Sequence, residues 1–184
     1  MADFQTAHDF VAKWEGGLAD HPSDPGGITN YGISLRFLQG EGIDIDGDGD
    51  VDADDIRGLT FEQAALLYRQ YFWEPFRLSD FPQDIATCFY DCAVNCGPRR
   101  ATRITQRACN SFVGPYGVKL IEDGIFGAKT RAFLLKNRHP KLVPAMLDQR
   151  EAFYERLVQK KPSLNVFLNG WLRRCQDLRQ TLRS

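Results

Sequence analysis

The segment from Gln83 to Cys96 limits the fold more than any other part of the chain. After Pro82, residues 83–96 read as a helix, and Ile85, Ala86, Cys88, Phe89, Cys92, Ala93 and Cys96 leave it little polar face. A helix that is apolar on most sides has to be surrounded by other elements. The segment therefore predicts a central buried helix with other helices packed around it. Thr87, Asp91 and Asn95 are its main polar exceptions, and their spacing of four puts them on one side. Asp91 and Asn95 can either bridge helices internally or line a cleft. Gly97-Pro98 closes the segment.

Helices to pack around it are written along the rest of the chain. Residues 3–15 carry the stripe Phe10, Val11 and Trp14 behind Asp3 as N-cap, and Ser34 caps a short helix over 34–39. Thr60 starts another with a capping box to Gln63, and further helices are predicted at 99–111, 127–138, 140–160 and 164–182. Strand signals are almost absent, so the expected class is mainly α. At 184 residues the chain suits one integrated domain or two lobes sharing a core, drawn at 1–86 and 87–184. Apolar residues at 43% and charged residues at 26% are ordinary for a globular protein, and no run approaches 18 apolar residues. The acidic, polar-interrupted N-terminus is not a Sec signal. The expectation is synthesis in the cytoplasm, with exit dependent on another system.

Charge is unevenly distributed. Residues 1–96 hold 18 acidic against 5 basic side chains, and residues 97–184 hold 6 against 18. The basic half can attract a polyanion, or the two halves can simply complement each other. No nucleic-acid-binding motif accompanies the arginines, so nucleic acid is not an expected partner. The last stretch sets Trp171, Leu172, Cys175, Leu178 and Leu182 on one face, with Arg173, Arg174, Arg179 and Arg183 elsewhere. It reads as core packing with a solvated basic back, or as a surface that disturbs an anionic outer membrane. Five cysteines without an export signal imply reduced thiols. Cys88, Cys92 and Cys96 share a helical face with no CxxC pair or neighbouring histidine, so they read as core residues. His8, His21 and His139 follow no metal or triad spacing.

The stretch 44–55 is a cation-loop motif. Asp44, Asp46, Asp48, Gly49, Asp50 and Asp55 fall at positions 1, 3, 5, 6, 7 and 12 of an EF-hand-type loop. Alternate side chains converge on one ion, glycine at position 6 permits the sharp turn, and an acid at position 12 closes the shell. Seven acids in twelve residues repel one another without a cation. Asp44, Asp46, Asp48, Asp50 and Asp55 are the expected ligands of a structural Ca2+; a solvated acidic loop is the alternative.

Glu15 stands where the first helical pattern stops at Gly16-Gly17, facing a loop rich in Gly, Pro and Asp that ends at Thr29-Asn30-Tyr31-Gly32. Residues 18–34 read as this loop or a short hairpin. An acid at a helix C-terminus is opposed by the macrodipole, so its placement asks for a reason. Supplying the proton donor of a glycosidase is one.

The runs Glu15-Gly16-Gly17, Asp24-Pro25-Gly26-Gly27, Thr29 and Tyr31-Gly32-Ile33 resemble glycoside hydrolase family 108, the peptidoglycan-cleaving N-acetylmuramidases of phage endolysins and bacterial secretion systems. The resemblance continues through Tyr68-x-x-Tyr71-x-Trp73-x-Pro75. It extends through Tyr90-Asp91-x-Ala93-Val94-Asn95-x-Gly97 and Asp123-Gly124-x-x-Gly127-x-x-Thr130, which are similar to the peptidoglycan-binding region attached to such enzymes. The acidic loop is a departure from the family. The spacing also resembles the Glu-x8-Asp-x5-Thr arrangement of phage lysozymes, with Thr29 one residue early. The resemblance implies a lysozyme-like helical bundle with a Gly/Asp-rich active-site loop or short hairpin, into which the EF-hand-type calcium loop is an insertion. It implies cleavage of the β-1,4 bond between N-acetylmuramic acid and N-acetylglucosamine by a monomer acting on peptidoglycan in the periplasm after release. Glu15 would be the general acid, Asp24 the second carboxylate and Thr29 the group that positions water. Asp24 can also be an ordinary turn residue, and Thr29 and Tyr31 can be packing residues. Tyr31, Tyr90, Asp91 and Asn95 are the candidates to bind the saccharide. The competing reading is a peptidoglycan-binding module without catalysis.

Overall fold

The computed structural model describes residues 1–19, 27–136 and 139–182. The described chain is mainly helical, as the periodicity predicts, and packs as two compact units: residues 8–71, and residues 1–7 with 72–184. The division lies at 71/72 rather than at the 86/87 boundary drawn from sequence. Helix α1 spans Phe4–Ala12 and contributes its first residues to one unit and the rest to the other. Asp3 caps it, its carboxylate accepting the Thr6 N–H at 2.7 Å.

In the unit of residues 8–71, strands β1 (Thr29–Asn30) and β2 (Ile33–Ser34) pair antiparallel around Tyr31-Gly32. Both loop residues have positive φ, 48° and 76°. A two-residue hairpin of the type I′ kind needs positive φ at both positions. Gly32 adopts it freely, whereas Tyr31 does so against its side chain. Ser34 then caps helix α2 (Leu35–Glu41) by accepting the Phe37 N–H. The acidic loop leads to α3 (Ala53–Gly58), and α4 (Phe61–Tyr68) starts at the Thr60–Gln63 capping box. The buried Asn30 amide donates to the carbonyls of Ile56 at 3.1 Å and Leu59 at 3.3 Å, which fixes the hairpin against the end of α3.

The other unit is built on α5 (Gln83–Cys96), the segment that is apolar almost all round. It packs against α6 (Pro98–Asn110) and α8 (Leu142–Lys160), and α8 packs against α9 (Asn165–Thr181). A shorter helix, α7 (Ala128–Lys136), lies against α6. The N-terminus is tied to the start of α5: Asp3 N–H donates to Gln83 at 2.7 Å, and the Gln83 amide returns to the Asp3 carbonyl at 3.0 Å. All five cysteines are free thiols, and four of them are buried, in keeping with the core reading.

The polar side of α5 faces inward. Asp91 is fully buried and takes Arg150 from α8 on one oxygen and Arg174 from α9 on the other, the latter at 2.7 Å. Burial alone would raise the Asp91 pKa, but the two guanidiniums outweigh it and hold the carboxyl below its usual value. Arg150 also donates to the Tyr154 hydroxyl, which in turn donates to Asn95. Two expectations are corrected here. Tyr90 and Asp91 are fully buried and therefore line no cleft, and half-buried Asn95 is held by Tyr154. Arg174, read as part of a solvated basic back, is 4% exposed and belongs to the interior.

Candidate active site

Glu15 sits one turn beyond α1, its N–H bonded to the Val11 carbonyl at 3.1 Å. That bond extends the helical path, so His8, Ala12 and Glu15 fall on one face at i, i+4 and i+7. On α4, Phe61, Ala64 and Tyr68 fall on one face at i, i+3 and i+7. With Tyr31 from the hairpin, these residues line a small recess within the unit of residues 8–71.

The recess is tightly built around the acid. A Cβ on Gly32 would come within 2.5 Å of a Glu15 carboxylate oxygen and would also collide with the Tyr68 hydroxyl. The Tyr68 hydroxyl donates to the Tyr31 carbonyl at 3.0 Å, which holds the turn in its positive-φ conformation. His8 is buried, with its ring 5.3 Å from that of Tyr68 and 5.8 Å from that of Phe61. Burial lowers its pKa, partly opposed by Asp9. Glu15 is thus a half-buried carboxyl beside three aromatic side chains and an imidazole.

Of the other expected site residues, Thr29 begins the hairpin, and both of its backbone groups pair with Ala19. Its hydroxyl points to the Ala19 carbonyl at 3.5 Å, the outer limit of a hydrogen bond. Asp24 lies outside the described residues. His8, Phe61 and Tyr68 were not singled out as site residues from sequence. Their signal was present as spacing, since each shares a helical face with another residue of the recess.

In the acidic loop, ligand atoms of Asp44, Asp46 and Asp48 lie within 4.8 Å of one another. Asp44 accepts the N–H of Gly47 at 2.6 Å and of Gly49 at 2.9 Å, and both glycines take positive φ. Asp55 is buried and ties the two ends of the loop, accepting Ile45 N–H at 2.6 Å and Asp52 N–H at 2.7 Å. Asp50 stands outside the converging set, and the like charges of Asp48 and Asp52 push its pKa up.

Two family models divide most of the chain. The one described as Glycosyl hydrolase 108 matches residues 8–97, and the one described as Predicted Peptidoglycan domain matches residues 100–176. Residues 8–97 carry the pattern of glycosyl hydrolase family 108. It is similar over its length to Brucella abortus SagA, with 29% identity, a TM-score of 0.76, and coverage of 97% of this chain and 92% of that one. No curated protein matches it. The recess around Glu15 lies inside the hydrolase region, and α6, α7 and α8 lie in or across the peptidoglycan region. A glycoside hydrolase joined to a peptidoglycan domain is a peptidoglycan hydrolase.

Proposed function

We propose that this family 108 enzyme is a lysozyme-like N-acetylmuramidase, cleaving the β-1,4 bond between N-acetylmuramic acid and N-acetylglucosamine with Glu15 as general acid. The observation that carries the reading is the fit of Gly32 and Tyr68 around the Glu15 carboxylate in a recess walled by aromatic rings. Protonating the departing sugar oxygen and stabilising an oxocarbenium-like transition state requires a positioned acid and a second carboxylate on the other side of the bond. Asp24, eight intervening residues after Glu15, supplies that second carboxylate, and Thr29 positions water. The same site serves an endolysin or a secretion-associated enzyme. Glu15→Gln keeps the shape of the side chain and removes the proton. It is expected to melt like wild type and to lose about 10²–10⁴ in the rate of reducing-end release from purified sacculi. Mass spectrometry of the wild-type products is expected to find N-acetylmuramic acid at the new reducing ends. Near-normal lysis by the variant would refute the role of Glu15, and N-acetylglucosamine ends would refute the bond.

The acidic loop is proposed to hold a structural calcium ion. The donor set supports it: Asp44, Asp46 and Asp48 converge as hard oxygen ligands. At position 7 a loop of this kind contributes its backbone carbonyl, so the outlying Asp50 side chain is compatible with the ion. Asp55, the expected position-12 ligand, stands outside the converging set, and both of its carboxylate oxygens accept backbone N–H groups that close the loop ends.

A further inference from the structure

An open cavity of about 420 Å³ lies where α5 gives way to α6, lined by Cys96, Gly97, Pro98, Arg99, Arg100 and Arg103. Three of these lining residues are arginines and none is acidic. The nearby acids are engaged elsewhere: Glu122 pairs with Arg107 and Asn110, and Asp123 accepts from Gln106 and from the Ile125 N–H. Arg103 donates to the backbone carbonyls of Glu122 at 2.9 Å and Asp123 at 3.1 Å, which holds the side chain in place, and its charge is partly offset by the Asp123 carboxylate. Arg100 lies over the Phe153 ring at 4.7 Å. Neither Arg99 nor Arg100 has a carboxylate partner among the described residues. The first turn of the 13-residue α6 adds its positive dipole end at the same place.

Arg99 and Arg100, two cations with no carboxylate partner among the described residues, stand beside Arg103 around one open cavity and repel one another unless an anion joins them. Arginine is the side chain best shaped to take a carboxylate through two parallel hydrogen bonds. We propose that this cavity binds a carboxylate of the peptidoglycan stem peptide. The inference rests on the reading of the enzyme as a peptidoglycan hydrolase. Arg100 and Arg103 fall within the peptidoglycan region at 100–176, and Arg99 immediately precedes it. The glycan strand of peptidoglycan is largely uncharged once its lactyl groups are amidated, so the anions that the polymer offers are the carboxylates of its peptides. The cavity would thus read the peptide while the recess at Glu15 acts on the sugar.

The test separates binding from cleavage by working in full-length Glu15→Gln protein. Dissociation constants are measured by co-sedimentation with intact sacculi, with sacculi whose peptide carboxylates have been converted to neutral amides by carbodiimide and ammonia, and with phosphatidylglycerol vesicles. The parent is expected to bind intact sacculi at least about tenfold more tightly than amidated ones, a difference that a few charge-assisted hydrogen bonds supply. Adding Arg99→Gln and Arg100→Gln is expected to erase that preference. The same charge change at exposed Arg156 and Arg173 is expected to keep it. Both substituted arginines are exposed, so the fold should survive; if the double variant does not melt cooperatively, R99Q alone carries the same comparison. A preference that persists without the arginines, one that the control erases equally, or tighter binding to the vesicles than to sacculi would overturn the proposal. Failure of the muramidase reading shows separately, as wild-type protein that releases no reducing ends.

Discussion

Gly32 shows how closely the recess is fitted to Glu15. Its φ of 76° already disfavours any side chain, and the space a Cβ would need is taken by the Glu15 carboxylate and the Tyr68 hydroxyl. Gly32→Ala must therefore shift either the turn or the acid. Displacing a catalytic group by about 1 Å can cost about 100-fold in rate. G32A is expected to lose about that much in kcat/KM on sacculi while remaining folded, and activity within a few-fold of wild type would show that Glu15 tolerates displacement. At this scale the sequence was partly legible. Glu15, Tyr31 and Gly32 stood in recognisable runs, and His8 and Tyr68 sat at helical spacings from members of the recess. What one sequence does not show is which helical faces meet, because an apolar face is compatible with many partners.

Among the elements, the capped helices and the acidic loop follow their local sequence most closely. The caps at Asp3, Ser34 and Thr60 all form, because the bonds they make reach only three residues along the chain. The first helix ends at Ala12 rather than Glu15, although the Glu15 N–H still reaches Val11. The acidic loop is likewise local: its carboxylates accept backbone N–H groups between two and ten residues away. Calcium at about 100 times its dissociation constant stabilises the folded state by about 2.7 kcal/mol. For a chain of this size that corresponds to about 5–10 °C in Tm. Calorimetry in calcium and in EDTA is expected to show this difference, and the Asp44→Asn/Asp48→Asn pair is expected to abolish it. Superimposable melts of the wild type would remove calcium from the loop.

The long-range design is carried by Asp91, which joins three helices through one carboxylate. Arg150 is 59 residues away in sequence and Arg174 is 83. Two guanidiniums share the one carboxylate, and one terminal nitrogen of Arg150 is buried with no hydrogen-bond partner among the described residues, so the cluster already holds more positive charge than it neutralises. Removing the acid leaves two buried cations, and breaking a buried pair in this way costs about 3–5 kcal/mol. Asp91→Asn is expected to lower Tm by about 6–20 °C. A change under about 2 °C would mean that the interior admits enough water to screen the arginines. Because the folded pKa of Asp91 is below its unfolded value of about 3.9, its contribution is complete above about pH 4 and is lost as the pH falls towards the folded pKa. The wild-type Tm should therefore fall below pH 4 more steeply than that of D91N. The sequence by itself determined the helices, their caps, the acidic loop and the position of the acid, since each depends on bonds or periodicities spanning a few residues. Only the tertiary structure decided that Asp91 serves the interior rather than a cleft, that Arg174 is core, and that helical faces enclose Glu15. Those outcomes depend on contacts between distant segments, and burial is a property of the partner as much as of the residue.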